Sequence, residues 1–180
     1  MTASFAPRLS HFGMFCRDID AQAAFYRQVF GMVETDRGQG ITFRMDLVFL
    51  SSSPEQHHQL ALASGRAADG PSTVMQLSFK VDTLDQLREA RRRALAHGAM
   101  KLRGLNHGNA LSIYFSDPED NTVEVYLDTP WYVTQPHGDA LDLDRPDEEI
   151  WAETERACRA DPSFAPADEW RRATFGPRPA

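Results

Sequence analysis

Cysteine is scarce in this chain. Only Cys16 and Cys158 carry thiols among 180 residues, they lie far apart, and there is no CxxC pair. A disulfide framework and a cysteine-based zinc or redox motif are therefore excluded. Long apolar runs are missing too. No stretch approaches the roughly 20 residues that cross a bilayer, and the opening MTASFAPRLSHF lacks the apolar segment of a signal peptide. The expectation is a cytoplasmic protein with no membrane partner. Basic charge is in deficit: 19 Lys and Arg against 26 Asp and Glu leave a formal net charge of −7. A duplex nucleic-acid partner, which needs a basic face, is excluded on that ground. The one dense basic run, Arg88, Arg91, Arg92 and Arg93, sits in a helical pattern with Glu89 and reads as a solvated helix face. With 42% apolar and 25% charged residues the composition is that of a globular chain, so wholesale disorder is excluded as well.

What the chain does have is an internal repeat. Its first copy begins LSHFGMFCRDIDAQAAFYRQVFGM and its second VMQLSFKVDTLDQLREARRRALAHGAM. Each reads as a strand, an Asp-containing turn, an amphipathic helix and a stopping glycine. Leu9 to Cys16 and Val74 to Val81 are the strands. Asp18 or Asp20 can cap the first helix, and Asp82 or Thr83 the second, because a short side-chain oxygen accepts the orphan amide hydrogens of a first turn. Ala24, Phe25, Val29 and Phe30 form one apolar stripe at helical spacing; Leu84, Leu87, Ala90, Ala94 and Leu95 form the other. Gly31 and Gly98 supply left-handed stops. Strand-like pieces follow each helix: Met32–Asp36, Ile41–Met45 and the run from Leu47 to Leu62 broken by SSSPEQ, then Met100–Leu105, Ala110–Ser116 and Thr122–Leu127.

The fold class that this pattern predicts is α+β, two tandem βαβββ modules over residues 8–64 and 73–128 of a single domain 1–128. The modules form a cupped mixed sheet, with residues 64–73 as linker. From residue 129 to 180 the chain turns acidic and proline-dotted. A helix is predicted from Pro146 through the acids Asp147, Glu148 and Glu149, with Ile150 and Trp151 as anchors. A second short helix is predicted near Ala167–Ala173. Trp131, Trp151 and Trp170 all lie in this tail, either stapling it to the body or equipping it as a lid or dimer arm.

Six histidines are candidates for chemistry: 11, 57, 58, 97, 107 and 137. His97 sits at a helix end, where a cation complements the dipole, and with His137 in the tail it reads as structural. His11 falls in the first strand of module one; Gln76 is its counterpart in module two. Glu124 lies in the last strand between Val123 and Val125. An acid inside an apolar strand is costly unless paired, protonated or metal-bound. Alternation places Thr122, Glu124 and Tyr126 on one face, so that face must line something wet or charged.

A first-strand His and a last-strand Glu across two βαβββ repeats resemble the vicinal-oxygen-chelate superfamily over residues 8 to 128. That superfamily holds glyoxalases, epimerases, fosfomycin-resistance proteins, bleomycin-resistance proteins and type I extradiol dioxygenases. Locally, FLSSSPEQHHQLALA and NHGNALSIYFSDPEDNTVEVYLD are most similar to extradiol catechol dioxygenases of the dihydroxybiphenyl type. The resemblance implies a metal pocket with His11, Gln76 and Glu124 as ligands. It implies His58 as the acid–base group that stabilises and protonates a superoxide-like species, and His107 and Tyr114 as groups that hydrogen-bond the substrate oxygen. Gln76 stands where that family has a second His, so the usual two-His-one-carboxylate triad becomes one His, one Gln and one Glu. By analogy with the glyoxalase branch, Gln59 is an alternative fourth ligand. His58 and Gln59 fall on opposite faces of a regular strand, and the sequence leaves open which faces the pocket.

The function implied is an extradiol ring-cleaving dioxygenase acting on a catecholic aromatic with O2 and a divalent metal. Fe(II) is favoured, with Mn, Zn or Ni as alternatives. Gln76 and Gln59 keep a second reading open, a non-redox isomerase, lyase or epimerase using a Lewis-acid metal. The broken triad keeps a third, a non-catalytic small-molecule-binding protein of the same fold. Phe43, Phe49, Met75 and Phe79 are candidate pocket walls. A homodimer is expected, because exposed strand edges need covering.

Overall fold

The computed structural model of the chain describes residues 7–176 except Phe43, a candidate wall that therefore lies outside the described residues. The chain divides into two compact units, Met1–Val74 and Met75–Ala180. The first contains β1 (Phe12–Cys16), α1 (Ile19–Phe30), β2 (Val33–Gln39), β3 (Asp46–Ser51) and β4 (Leu60–Ser64) in a mixed sheet of order β1-β4-β3-β2. The second contains β5 (Leu77–Lys80), α2 (Leu84–Ala96), β6 (Met100–Asn106), β7 (Ala110–Ser116) and β8 (Thr122–Asp128). The repeat is real in three dimensions: β1 runs parallel to β4, and β5 runs parallel to β8. The fold class is the mixed α+β arrangement that the repeat predicts.

The helices form where the capping chemistry directs. Asp18 accepts from the Ala21 amide at 2.9 Å, and Gly31 ends α1 at φ 68°. Thr83, rather than Asp82, caps α2 by accepting from the Gln86 amide at 3.2 Å. Thr83→Ala is expected to cost about 1 kcal/mol, read as a lowered urea midpoint with an unchanged slope. The buried face of α1 comprises Gln22, Ala23, Phe25, Tyr26 and Val29, so the apolar stripe is rotated from the expected one and Ala24 and Phe30 are only half-buried. In α2 the expected stripe holds except at Leu95, which is 56% exposed at the solvent edge of the last turn.

One strand expectation fails. Ile41 and Thr42 form a turn rather than a strand: Gly40 donates to the Met45 carbonyl and Arg44, at φ 48°, donates back to the Gly40 carbonyl, which reverses the chain between β2 and β3. Apolar content misled here, since Ile41 is fully out in solvent. The Leu47–Leu62 run instead supplies two strands, β3 and β4. The leading strands are also shorter than expected: β1 begins at Phe12 and β5 at Leu77, so His11 and Gln76 each stand one residue before their strand.

The tail belongs to the second unit. It adds β9 (Trp131–Tyr132), β10 (Asp139–Ala140), α3 (Asp147–Ala160), β11 (Ala165–Pro166) and α4 (Ala167–Phe175). β10 extends the sheet, giving the order β10-β6-β7-β8-β5. Trp131 packs edge-on against Trp151, and Tyr132 stacks on Trp170 with centroids 4.5 Å apart. The basic run of α2 serves the same end. Arg88 donates to the carbonyls of Leu143 and Arg145, and Arg91 pairs with Asp144. Among the described residues no helix is long and apolar enough to cross a membrane.

Candidate functional site

The first unit gathers its histidines at the start of β1 and the loop before β4. The His58 ring lies 4.4 Å from that of His11 and 4.9 Å from that of Phe49. His57 and His58 share a hydrogen bond between their Nδ1 atoms at 3.0 Å, and His57 Nε2 is 4.0 Å from an Asp36 carboxylate oxygen. Strict alternation does not govern His58 and Gln59, because β4 begins only at Leu60. Gln59 turns its amide oxygen to Ser52, accepting from the backbone amide at 3.0 Å and the hydroxyl at 2.7 Å. The imidazole beside His11 is thus His58.

Burial, and then the neighbouring His11 and His57, hold the His58 imidazole below its ordinary value of 6.5, so it is neutral at pH 7. A base whose folded value is depressed binds fewer protons in the native state. Its contribution to stability is therefore present above the unfolded value and lost as pH falls through 6.5 toward the lower folded value. His58→Gln is accordingly expected to flatten the acid side of a plot of melting temperature against pH.

The second unit builds a different cluster on one face of its sheet. Register pairs Ser78 and Tyr114 with Glu124, and Lys80 and Ser112 with Tyr126. With Gln76 these polar side chains share a face, while Leu77, Phe79, Ile113, Val123 and Val125 share the other. Phe79, a candidate wall, therefore points away from Glu124. Met75 is 80% exposed.

Glu124 is buried and accepts four hydrogen bonds. Gln76 Nε2 at 2.8 Å and Ser78 at 2.7 Å serve Oε2, whereas Ser112 at 3.0 Å and Tyr114 at 2.5 Å serve Oε1. Among the described residues no lysine or arginine pairs with it; neutral donors satisfy its lone pairs, which is how a carboxylate tolerates burial. Burial, and then the bond to Glu124, drive the Tyr114 hydroxyl well above its ordinary value, so it keeps its proton at neutral pH. Tyr114 also contacts His107 Nε2 at 2.9 Å. Its one proton can serve only one of these two neighbours at a time. A cavity of about 300 Å³ opens on this face, lined by His107, Asn109, Tyr114, Glu124, Tyr126 and Gln135, among others.

The donors suit a divalent cation in kind. The second unit offers a carboxylate and, because Gln76 donates through its nitrogen, an amide oxygen. Among the described residues no group of three or more His, Cys, Asp or Glu is arranged to hold a metal by itself. The sequence reading missed Ser78 and Ser112 as partners of Glu124. Both were findable: Ser78 is two residues after Gln76 and Ser112 two before Tyr114, and period-two alternation puts each pair on one face.

A profile described as the glyoxalase/bleomycin resistance protein/dioxygenase superfamily matches residues 8–125. A biphenyl-2,3-diol 1,2-dioxygenase of Rhodococcus globerulus is 26% identical over 128 residues, covering 68% of this chain; the chain spans 64% of that relative's length. Among solved structures, a glyoxylase/bleomycin resistance protein/dioxygenase domain from Frankia sp. EAN1pec matches with a TM-score of 0.59 at 20% identity, over 73% of this chain and 96% of that one. The fosfomycin resistance protein FosX of Listeria monocytogenes, complexed with Mn(II) and sulfate, matches with a TM-score of 0.54 at 19% identity, over 69% and 95%.

Proposed function

The chain belongs to the glyoxalase/bleomycin resistance protein/dioxygenase superfamily, and on that premise we propose that it is a metal-dependent ring-cleaving dioxygenase of the extradiol type, acting on a catechol. The observation that carries this reading is the series His107–Tyr114–Glu124, in which a histidine and a protonated phenol are hydrogen-bonded in turn to a buried carboxylate. The relative from Rhodococcus, named for a diol substrate, supports it. Glu124 and Gln76 hold the metal, and His11 is the third ligand that the resemblance assigns. A redox-active divalent metal supplies the centre at which catechol and dioxygen are activated. The chain's own groups do the rest. Tyr114 donates to a catechol oxygen, His107 Nε2 exchanges the proton that Tyr114 gives or takes, and His58 has the acid–base role that the resemblance assigns to it. The cavity of about 300 Å³ suits a single aromatic ring. Protein purified without oxygen and loaded with Fe(II) is expected to consume O2 when given simple catechols. No uptake above the protein-free rate with any of several catechols would sink the reading.

A second reading rests on Gln76. An amide oxygen is a neutral, hard donor, better matched to a Lewis-acid metal than to Fe(II). That reading is a non-redox lyase, isomerase or epimerase, and FosX, solved with Mn(II), has the same fold. Elemental analysis separates the two. Iron retained in proportion to protein favours the dioxygenase; manganese, zinc or nickel with oxygen-independent turnover favours the other.

A further inference from the structure

We propose that the C-terminal tail is the positioning element of His107, fixing a proton on Nδ1 so that Nε2 is the only ring atom that exchanges protons with Tyr114. For its use in turnover this rests on the reading of His107 as a proton-handling group; its geometry stands apart from that reading. His107 Nδ1 lies 2.6 Å from the carbonyl oxygen of His137. A carbonyl only accepts, so the bond requires a hydrogen on Nδ1 whether the ring is neutral or charged. Which nitrogen of a neutral imidazole carries the proton is set by the bond the other nitrogen makes.

The backbone that carries His107 is itself clamped by tail residues. Gln135 Nε2 donates to the His107 carbonyl at 2.8 Å and stands 3.3 Å from both Asn109 Oδ1 and the Val133 carbonyl. The Thr129 hydroxyl donates to the Gly108 carbonyl at 2.5 Å, and its amide to the Asn109 carbonyl at 3.0 Å. Asn106 accepts from the Gly108 amide at 2.9 Å and donates to Thr154 of α3 at 2.8 Å. Thr129, Asn106 and Thr154 are 3%, 7% and 1% exposed, so water does not compete for these bonds. Gly108 has φ 73°, and a Cβ there would collide with Val133 and stand 3.3 Å from Cys158 Sγ. Tail and turn are thus packed without slack. All of these tail groups lie beyond the 8–125 match.

The test is long-range 1H–15N NMR of the imidazole rings in uniformly labelled full-length protein, with His107 assigned by the signals lost in His107→Gln. The expected result is a protonated, pyrrole-type Nδ1 in the wild type, whatever the state of Nε2, favoured by about tenfold over the other tautomer. In Gln135→Ala, whose substitution is at an exposed side chain, that preference falls to a few-fold and the two nitrogen shifts move together. An unprotonated Nδ1 in the wild type would overturn the proposal, as would a Gln135→Ala spectrum identical to the wild type. The spectrum needs neither metal nor turnover, so its failure leaves the dioxygenase reading standing, and a silent oxygen electrode leaves the tautomer assignment standing.

Discussion

Glu124→Ala is expected to abolish metal retention and turnover while costing the fold only about 1–3 kcal/mol. The stability figure follows from a competition. Four donors, from Gln76, Ser78, Ser112 and Tyr114, lose their acceptor, and each left dry would cost about 1–3 kcal/mol. The cluster borders a cavity of about 300 Å³, so water enters and satisfies most of them, and the desolvation penalty of the carboxylate disappears. The net loss is close to that of one orphaned donor rather than four. Glu124→Gln separates charge from shape: it keeps the volume, places a donor amide among donors, and removes the anion that attracts a cation. Both variants are expected to return metal-free from a desalting column under conditions where the wild type retains its metal. Chemical denaturation checks the other half. A loss well above 3 kcal/mol would mean that the cluster is structural first.

The second large effect is at Gly104. A Cβ there would fall closer than 3 Å to the Leu141 carbonyl oxygen and 3.2 Å from that residue's own Cβ. The obstructing atom is backbone, so no rotamer change relieves it. Either β6 or the strand edge formed by β10 has to move. Overpacking of this kind costs about 1–3 kcal/mol and sometimes more, and the strain is directed at the tail, because β10 pairs with Leu105 and Asn106. Gly104→Ala is expected to lower the melting temperature by several degrees and to speed hydrogen exchange at the Leu141 amide, which donates to the Gly104 carbonyl at 3.3 Å. Fast exchange confined to that edge, with β7 and β8 still protected, would show the tail detaching first. Uniform loss of protection would show that the tail and sheet melt as one unit.

Much of this architecture was legible in the sequence because two periods run through it. The 3.6-residue stripe and its caps marked α1 and α2, and the repeat marked which strand was which. Glu124 was legible as well, since an acid between Val123 and Val125 needs an explanation wherever the strand lies. What stayed hidden was set by contacts distant in sequence. The turn at Ile41 follows from Gly40 and a left-handed Arg44, whereas the apolar letters around it mimic a strand. The place of His58 beside His11 depends on where β4 begins, which strand alternation cannot give for a loop residue. The clamp on His107 joins residues 28 and 30 positions apart through a backbone carbonyl and an amide side chain; nothing in the local pattern of the tail announces it.

The alternation of the second sheet has one more consequence. Along β5, β7 and β8, even-numbered positions carry Ser78, Ser112, Tyr114, Glu124 and Tyr126, and odd-numbered ones carry Leu77, Ile113, Phe115, Val123 and Val125. Two texts are interleaved on one backbone, one polar and the other apolar, and a single-letter edit falls on only one of them. Most of the cohesion is written in the odd letters, so the even face can be rewritten at a modest cost to the fold, so long as no insertion shifts the reading frame of the pleat.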